Sequence, residues 1–220
     1  LLHHTFYSRT FWHAAYKGPR TSTHYDMIPE TFHHTRFGVN PHLSKRWYFD
    51  NVNHIFSISE SARKDLQQIW PEIVTPISTT HLGKPEVPKQ EFHRIQGYII
   101  FIGVRGGYKD AESLFRAFAR LPEQLRGKLE FLGGNKFTES EMDLIDNLGI
   151  QNHTSQRNVT DLELAEAYGK AHLFVFPSHY EGFGLPALEA LQFGCRSVLA
   201  NTPALKEVAE NCADYFTPGN

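Results

Sequence analysis

Cysteine is scarce in this chain of 220 residues: there are two, Cys195 and Cys212, with no CxxC and no ladder of spacings. Pairing of the two stays open at this point, but a reduced, cytosol-like chain is the simpler reading. An excess of one charge is also lacking. The 22 Lys and Arg against 24 Asp and Glu leave a net charge of -2, and no basic block occurs. Nucleic acid is therefore not a favoured partner. No apolar run approaches the roughly 18–20 residues needed to span a bilayer. No low-complexity segment, fixed-period repeat or signal peptide is visible. The first residue is Leu1 and not Met, so this reading leaves open a missing N-terminus and a missing targeting signal.

What is present is an ordinary globular balance, 40% hydrophobic and 21% charged, enough for one large domain or two small ones. Of the 13 histidines, ten fall before residue 94, with adjacent pairs at His3-His4 and His33-His34. None makes an HExxH, HxH or Cys/His spacing, so turn and surface histidines are expected and no metal site is.

The first 36 residues are rich in aromatics, His and Thr, with a short strand expected at 20–23 and a turn at 24–29. Residues 42–52 read as a helix and 54–59 as a buried strand. Ser59 can cap a helix over 60–70, with Glu60 in its first turn and Pro71 as its stop. Residues 73–77 suit another strand. Residues 83–97 hold Gly83, Pro85, Pro88 and Gly97 among charged residues, and a domain boundary is placed there. The resulting division is 1–90 and 91–220.

Beyond the boundary the pattern is regular. Strands are expected at 98–102, 128–132, 173–176 and 197–200, and helices at 110–120, 139–147, 161–170 and 185–193. The last helix has Pro186 in its first turn and Gly194 just past its end, the expected asymmetry. Strands alternating with helices imply an α/β fold with a parallel sheet and right-handed crossovers. Ligands of such sheets sit beyond the C-terminal ends of the strands, which selects the loops 103–109 and 177–185.

The first of these loops sets Arg105 and Lys109 beside glycines just before a helix. Backbone N–H groups and the helix dipole there favour an anion, and the two cations suit phosphate; the competing reading is a solvated turn. In the second, Glu181 lies in a turn made by Gly182 and Gly184, and Glu189 is read onto the first turn of the following helix. Carboxylates accept from vicinal hydroxyls, so the pair suits a sugar and a ribose, while the amides of Phe183, Gly184 and Leu185 suit a phosphate. The competing reading has Glu189 only complementing the helix dipole and Glu181 in solvent.

The run PSHYEGFGLPALEALQFG at 177–194 resembles the signature of the family 4 glycosyltransferases of the GT-B fold, whose core is Glu, seven residues, Glu. GVRGGYKD at 103–110 resembles the donor-phosphate loop, and NVTDLELAEAYGKAHLFVFPS at 158–178 the lead into the signature. NTPALKEVAE and YFTPGN resemble the segments on its C-terminal side, and YDMIPETF and HIFSISESARKDL the end of an acceptor-side domain. The resemblance covers about residues 20–220. It implies one Rossmann-like parallel-sheet domain and part of a second, as in a fragment of a larger enzyme.

By that resemblance the activity is transfer of a hexose from a nucleotide diphosphate sugar, with retention of configuration and no essential metal. Arg105 and Lys109 match the pair holding the diphosphate, and Glu189 matches the ribose-binding carboxylate. Glu181 matches the carboxylate facing the donor sugar; Gly103, Gly182, Phe183, Gly184 and Leu185 match donor-binding positions. Arg105, Lys109 and Glu181 are thus the expected catalytic groups. Many members have His-Asp where this chain has Tyr25-Asp26, with His24 one place earlier, so His24 and Asp26 are carried as acceptor-side residues on this weaker match.

The loop at 105–109 looks like that of mannosyltransferases, which makes GDP-mannose the first expected donor, with a glycan or lipid-linked sugar as acceptor. A cytoplasmic enzyme follows from the resemblance, with peripheral contact at the inner face of the membrane left open; no basic amphipathic helix is seen. The alternatives kept open are a catalytically silent nucleotide-sugar binding module, a GT-B sugar phosphorylase and a nucleotide-sugar epimerase.

Overall fold

In the computed structural model, which describes residues 1–5, 7, 16–32, 44–83 and 91–219, every strand pairing is parallel. The chain divides into two units, Leu1–Gly83 with Glu181–Phe183, and Lys84–Tyr180 with Gly184–Asn220.

The first unit carries a sheet of four strands in the order β1–β2–β3–β4: β1 (Leu2–His4), β2 (Arg20–His24), β3 (His54–Ser57) and β4 (Ile77–Thr79). Its helices are α1 (Ile28–Phe32), α2 (Lys45–Asp50) and α3 (Glu60–Ile69). Ser59 caps α3 as expected, accepting from the Ala62 amide at 2.9 Å. Met27, Tyr48, Phe49, Ile55 and Leu66 form the core and are fully buried. The helix expected at 42–52 is the shorter α2; residues 42 and 43 lie outside the described residues. The turn expected at 24–29 gives way to α1 at Ile28, where the Asp26 carboxylate accepts the Ile28 amide at 2.9 Å. The strand expected at 73–77 is displaced to β4. The Ile73 amide is committed to the Trp70 carbonyl, and Pro76 accepts from the Ile55 amide of β3 but has no amide to donate, so the strand itself starts at Ile77.

The second unit carries β5 (Ile95–Ile102), β6 (Lys128–Leu132), β7 (Thr154–Arg157), β8 (Ala171–Phe176), β9 (Ser197–Ala200) and β10 (Asp214–Phe216). Between them lie α4 (Ala111–Ala119), α5 (Glu139–Asn147), α6 (Asp161–Lys170), α7 (Leu185–Gln192) and α8 (Pro203–Ala209). The sheet order is β10–β9–β8–β5–β6–β7. β5 starts at Ile95, so residues 95–97 of the expected 83–97 linker are strand.

Right-handed crossovers put α4 and α5 on one face of this sheet and α6, α7 and α8 on the other. The two cores agree. Phe101, Leu129 and Phe131 pack with Leu114, Phe115, Phe118 and Ile145; Phe174, Phe176 and Leu199 pack with Tyr168, Ala187 and Leu205. Alternate residues of β8 thus serve opposite faces, with Val175 in the first cluster and Phe174 in the second. The chain leaves β5 toward β6 and β7 but leaves β8 toward β9 and β10. The direction of winding therefore reverses between β5 and β8, the place where an open α/β sheet forms a crevice beyond its strand ends.

Candidate functional site

The loops after β5 and β8 flank this reversal, and one backbone bond joins them: the His179 amide donates to the Tyr108 carbonyl at 2.7 Å. After β5 the chain passes through Gly103, at φ 101, and enters a single 3-10 turn at Gly107–Lys109. Asp110 then caps α4 from the left-handed region, φ 48 and ψ 46, accepting from the Ser113 amide at 3.3 Å and the Ser113 hydroxyl at 2.7 Å. Lys109 sits at the end of the turn with its Nζ 4.7 Å from the centre of the Phe176 ring and 5.3 Å from that of Tyr108, a cation–π setting.

Arg105 is placed differently from Lys109. It is buried at 6% exposure, and each of its three guanidinium nitrogens has an acceptor within reach. Nε and Nη2 donate to the two oxygens of Glu141 at 2.8 and 3.1 Å, Nη2 also reaches the Lys136 carbonyl at 2.9 Å, and Nη1 reaches the carbonyls of Asn135 at 3.1 Å and Gly133 at 3.4 Å. A direct fork from Arg105 to a phosphate therefore requires exchange of one of these partners. Glu141 serves two roles, because it also accepts the Thr138 amide at 2.8 Å as the capping box of α5. Burial acts to raise the Glu141 pKa, but the Arg105 pair and the Thr138 bonds outweigh it and hold the carboxyl below its usual range.

After β8 the chain reaches α7 through Gly184, its N-cap, at φ 99 and ψ 49. A Cβ here would adopt a disfavoured conformation and would lie 2.7 Å from Leu205 Cδ2, so only glycine fits. With Leu185 and Pro186 opening α7, the first-turn amides point out along its axis toward the strand ends. Helix α7 begins at Leu185, so Glu189 lies on its second turn and not on the first.

Glu189 is half-buried and held from behind. The hydroxyl of Tyr168, a fully buried residue at the end of α6, lies 2.8 Å from Glu189 Oε2 and 3.1 Å from the Pro186 carbonyl. Burial raises the Glu189 pKa above the ordinary carboxylate range; the Tyr168 bond opposes this and the charge of Asp161 adds to it. Burial, followed by the Glu189 carboxylate itself, keeps the Tyr168 phenol protonated, so Tyr168 is the donor.

Residues 181–183 belong to the first unit. Glu181 is buried there at 8% exposure, so the solvated reading of its side chain does not hold. A Cβ on Gly182 would lie 2.2 Å from the Tyr25 carbonyl, which excludes any side chain. The Gly182 carbonyl accepts from the Ser59 hydroxyl, and Phe183 packs near His81, ring centroids 5.9 Å apart.

Next to this segment His24 is fully buried, with Nδ1 3.2 Å from the Ser57 hydroxyl and Nε2 3.1 Å from the Asp26 carbonyl. Burial, reinforced by the positive charge of Lys45, pushes its pKa down to about 3. His24 is therefore neutral near pH 7, with both nitrogens in use. Lys45 is also buried and donates to the Asp26 carbonyl at 2.7 Å and to Glu30 at 2.8 Å. One oxygen of the Asp26 carboxylate accepts the Ile28 amide in the α1 turn described above.

Sequence reasoning did not single out Tyr168, Glu141, Lys45 or His179. Tyr168 and Lys45 give no signal distinct from a core aromatic and a helical surface lysine. Glu141 shows only as the fourth member of the Thr-x-x-Glu box at 138–141, which marks a cap and not a partner for Arg105.

Residues 84–217 match the family described as "Glycosyl transferases group 1". The chain belongs to this family. Among similar proteins is the serotype-specific mannosyltransferase WbdA of Escherichia coli, 28% identical over 186 residues, 76% of this chain and 23% of that protein. Another is the O-antigen chain mannosyltransferase B of Escherichia coli, 28% identical over 187 residues, 78% of this chain and 49% of that one. The chain therefore spans less than half the length of these relatives. Among solved structures, Anabaena Alr3699/HepE in complex with UDP and glucose matches with a TM-score of 0.70 at 16% identity, over 92% of this chain and 59% of that one. As a group 1 glycosyl transferase this chain has the GT-B fold. No helix among its described residues is long and apolar enough to cross a membrane, and no three of their His, Cys, Asp or Glu residues group to hold a metal ion.

Proposed function

We propose that this chain binds the donor nucleotide of a retaining hexosyltransferase, with GDP-mannose as the donor and a glycan or lipid-linked sugar as the acceptor. The observation that carries the reading is the arrangement at the β5/β8 reversal. There one backbone bond joins the loop bearing Lys109 to the loop that leads into α7, and Tyr168 holds the Glu189 carboxylate on that helix. A diphosphate leaving group develops negative charge, and cations and helix amides fixed before the reaction stabilise it without reorganisation. Lys109 and the N-terminus of α7 supply that field, and Arg105 adds to it by exchanging a carbonyl partner for phosphate.

Glu189 keeps Oε1 for a ribose hydroxyl while Oε2 is bound to Tyr168. The family resemblance assigns backbone contacts with the donor to Gly103, Gly184 and Leu185, and it also assigns Gly182, Phe183 and Glu181 to donor binding. By the family resemblance the transfer needs no essential divalent metal, with Lys109 and the N-terminus of α7 offsetting part of the diphosphate charge. The mannosyltransferases among the similar proteins favour mannose over other hexoses.

The test is incubation of the chain with GDP-mannose or UDP-glucose and a mannoside acceptor, following release of nucleoside diphosphate and the anomeric configuration of the product by NMR. Release from GDP-mannose with an α-linked product from the α-donor supports the proposal. Nucleotide binding with no transfer makes the chain a binding module. Sugar 1-phosphate formed from glycan and phosphate makes it a phosphorylase, and an inverted product overturns retention.

A further inference from the structure

We propose that His179 is a positioning residue for Lys109, acting through Asp110 to fix the diphosphate-binding turn against the exit of β8. The inference rests on the nucleotide-binding reading above and names a residue that the donor contacts do not include.

Lys109 has one neighbour on each side, and His179 holds both. The His179 amide donates to the Tyr108 carbonyl at 2.7 Å, and its Nε2 lies 2.9 Å from Asp110 Oδ2, so Nε2–H donates to the carboxylate. Asp110 needs such a hold. It is a non-glycine residue in the left-handed region, a conformation uncommon for L residues and tolerated best by Asn and Asp. Its carboxylate is oriented by three groups: the Ser113 amide and hydroxyl from α4, and His179 from the other loop.

The backbone bonds of the turn itself are longer: Lys109 N to the Gly106 carbonyl is 3.4 Å, and Asp110 N to the Gly107 carbonyl is 3.2 Å. The Ala111 amide also ties the turn to the β5 loop through the Arg105 carbonyl at 3.1 Å, so the turn takes its position from β5 and β8 together. The Lys109 ammonium shares that reference, since it sits over Phe176, the last residue of β8 and three before His179. A shift of the turn would move the ammonium relative to the N-terminus of α7, and a charge-assisted contact to phosphate is sensitive to such a shift.

The side chain of His179 is 41% exposed, so replacing it leaves no cavity in the core. Loss of the side chain also leaves the Tyr108 bond in place, which predicts a partial effect. Glutamine can present its Nε2–H where the histidine Nε2–H lies.

The experiment is calorimetric titration of the folded chain with GDP, UDP and ADP and with the corresponding nucleosides, for wild type, His179→Ala, His179→Gln and Lys109→Ala. For the nucleotide that wild type binds, His179→Ala is expected to weaken diphosphate binding about fivefold to tenfold, the equivalent of one hydrogen bond. Nucleoside binding stays unchanged, His179→Gln restores diphosphate affinity to within about twofold of wild type, and adding His179→Ala to Lys109→Ala costs little more. Diphosphate affinity unchanged in His179→Ala, with Lys109→Ala impaired, overturns the positioning role and leaves the nucleotide site standing. Equal loss for diphosphate and nucleoside, or no rescue by glutamine, overturns it as well. A wild-type chain that binds no nucleoside diphosphate, or a Lys109→Ala variant that binds like wild type, overturns the site reading and this inference together.

Discussion

The Tyr168 hydroxyl donates to Glu189 Oε2 at 2.8 Å from a position at the end of α6 that is itself fully buried. The bond joins two helices on one face of the second sheet and aims a half-buried carboxylate at the strand ends. A carboxylate in that setting is costly for the fold and useful to a ligand, so stability and binding should move in opposite directions when it is neutralised.

Glu189→Gln tests this. The Glu189 pKa is raised in the folded chain, so the folded state binds a proton more readily than the unfolded one. The stabilising contribution is present at low pH and lost as pH rises through the folded pKa. At pH 7 the charge is a burden, and Glu189→Gln should raise the melting temperature by roughly 1–3 °C while weakening nucleotide affinity. Differential scanning calorimetry with nucleotide titration checks both signs. Tyr168→Phe should cost about 1 kcal/mol and lower nucleotide affinity as well, since Glu189 then loses its aim.

Arg105 and Lys109 should separate by stability. Arg105→Ala strands Glu141 and leaves the Asn135 and Lys136 carbonyls without the Arg105 donor, while the Gly133 carbonyl keeps Gln156 Nε2 at 3.1 Å; the loss should cost about 3 kcal/mol, a fall of roughly 10 °C in the transition of the second unit. Lys109→Ala should leave that transition within about 2 °C yet weaken nucleotide binding. Equal thermal losses in the two variants would contradict the placement of Arg105 as a strut. Removing both partners, Arg105→Ala with Glu141→Ala, should recover part of the loss, because an uncompensated charge is no longer left behind.

His24 gives a pH signature. Its pKa falls from 6.5 to about 3 on folding, so below pH 6.5 the unfolded chain binds one proton more than the folded one. The contribution is complete above pH 6.5 and is lost as pH falls toward 3, with a slope of about 1.4 kcal/mol per pH unit. Urea denaturation at pH 7, 6 and 5 should show a steeper loss for wild type than for His24→Gln, by about one proton. Parallel slopes would mean that His24 titrates normally.

The legible and illegible parts of this chain divide on physical grounds. Glycines before α7 and Pro186 within its first turn mark that helix because backbone geometry demands those residue types, and β6, α5, α6 and β9 announced themselves by apolar periodicity and caps. β7 did not, because Thr154, Ser155, Gln156 and Arg157 offer no apolar residue; it is an edge strand placed by its pairing with β6. β1 is three residues long and too short for any pattern. Within the candidate site, the place of Lys109 just after a strand could be read, but the state of Arg105 could not, since Glu141 lies 36 residues away. For the same reason the burial of Glu181 and the double engagement of His24 depend on contacts that local sequence does not carry.

Binding of a nucleoside diphosphate at the β5/β8 reversal, through Lys109, Glu189 and the N-terminus of α7, is what we propose for this chain. The most direct measurement is a thermal-shift titration with GDP, UDP and ADP, on wild type and on Glu189→Ala. GDP should raise the melting temperature of wild type, with a midpoint that depends on ligand concentration, and Glu189→Ala should lose most of that rise. No rise with any of the three nucleotides, or an equal rise in the variant, would contradict it.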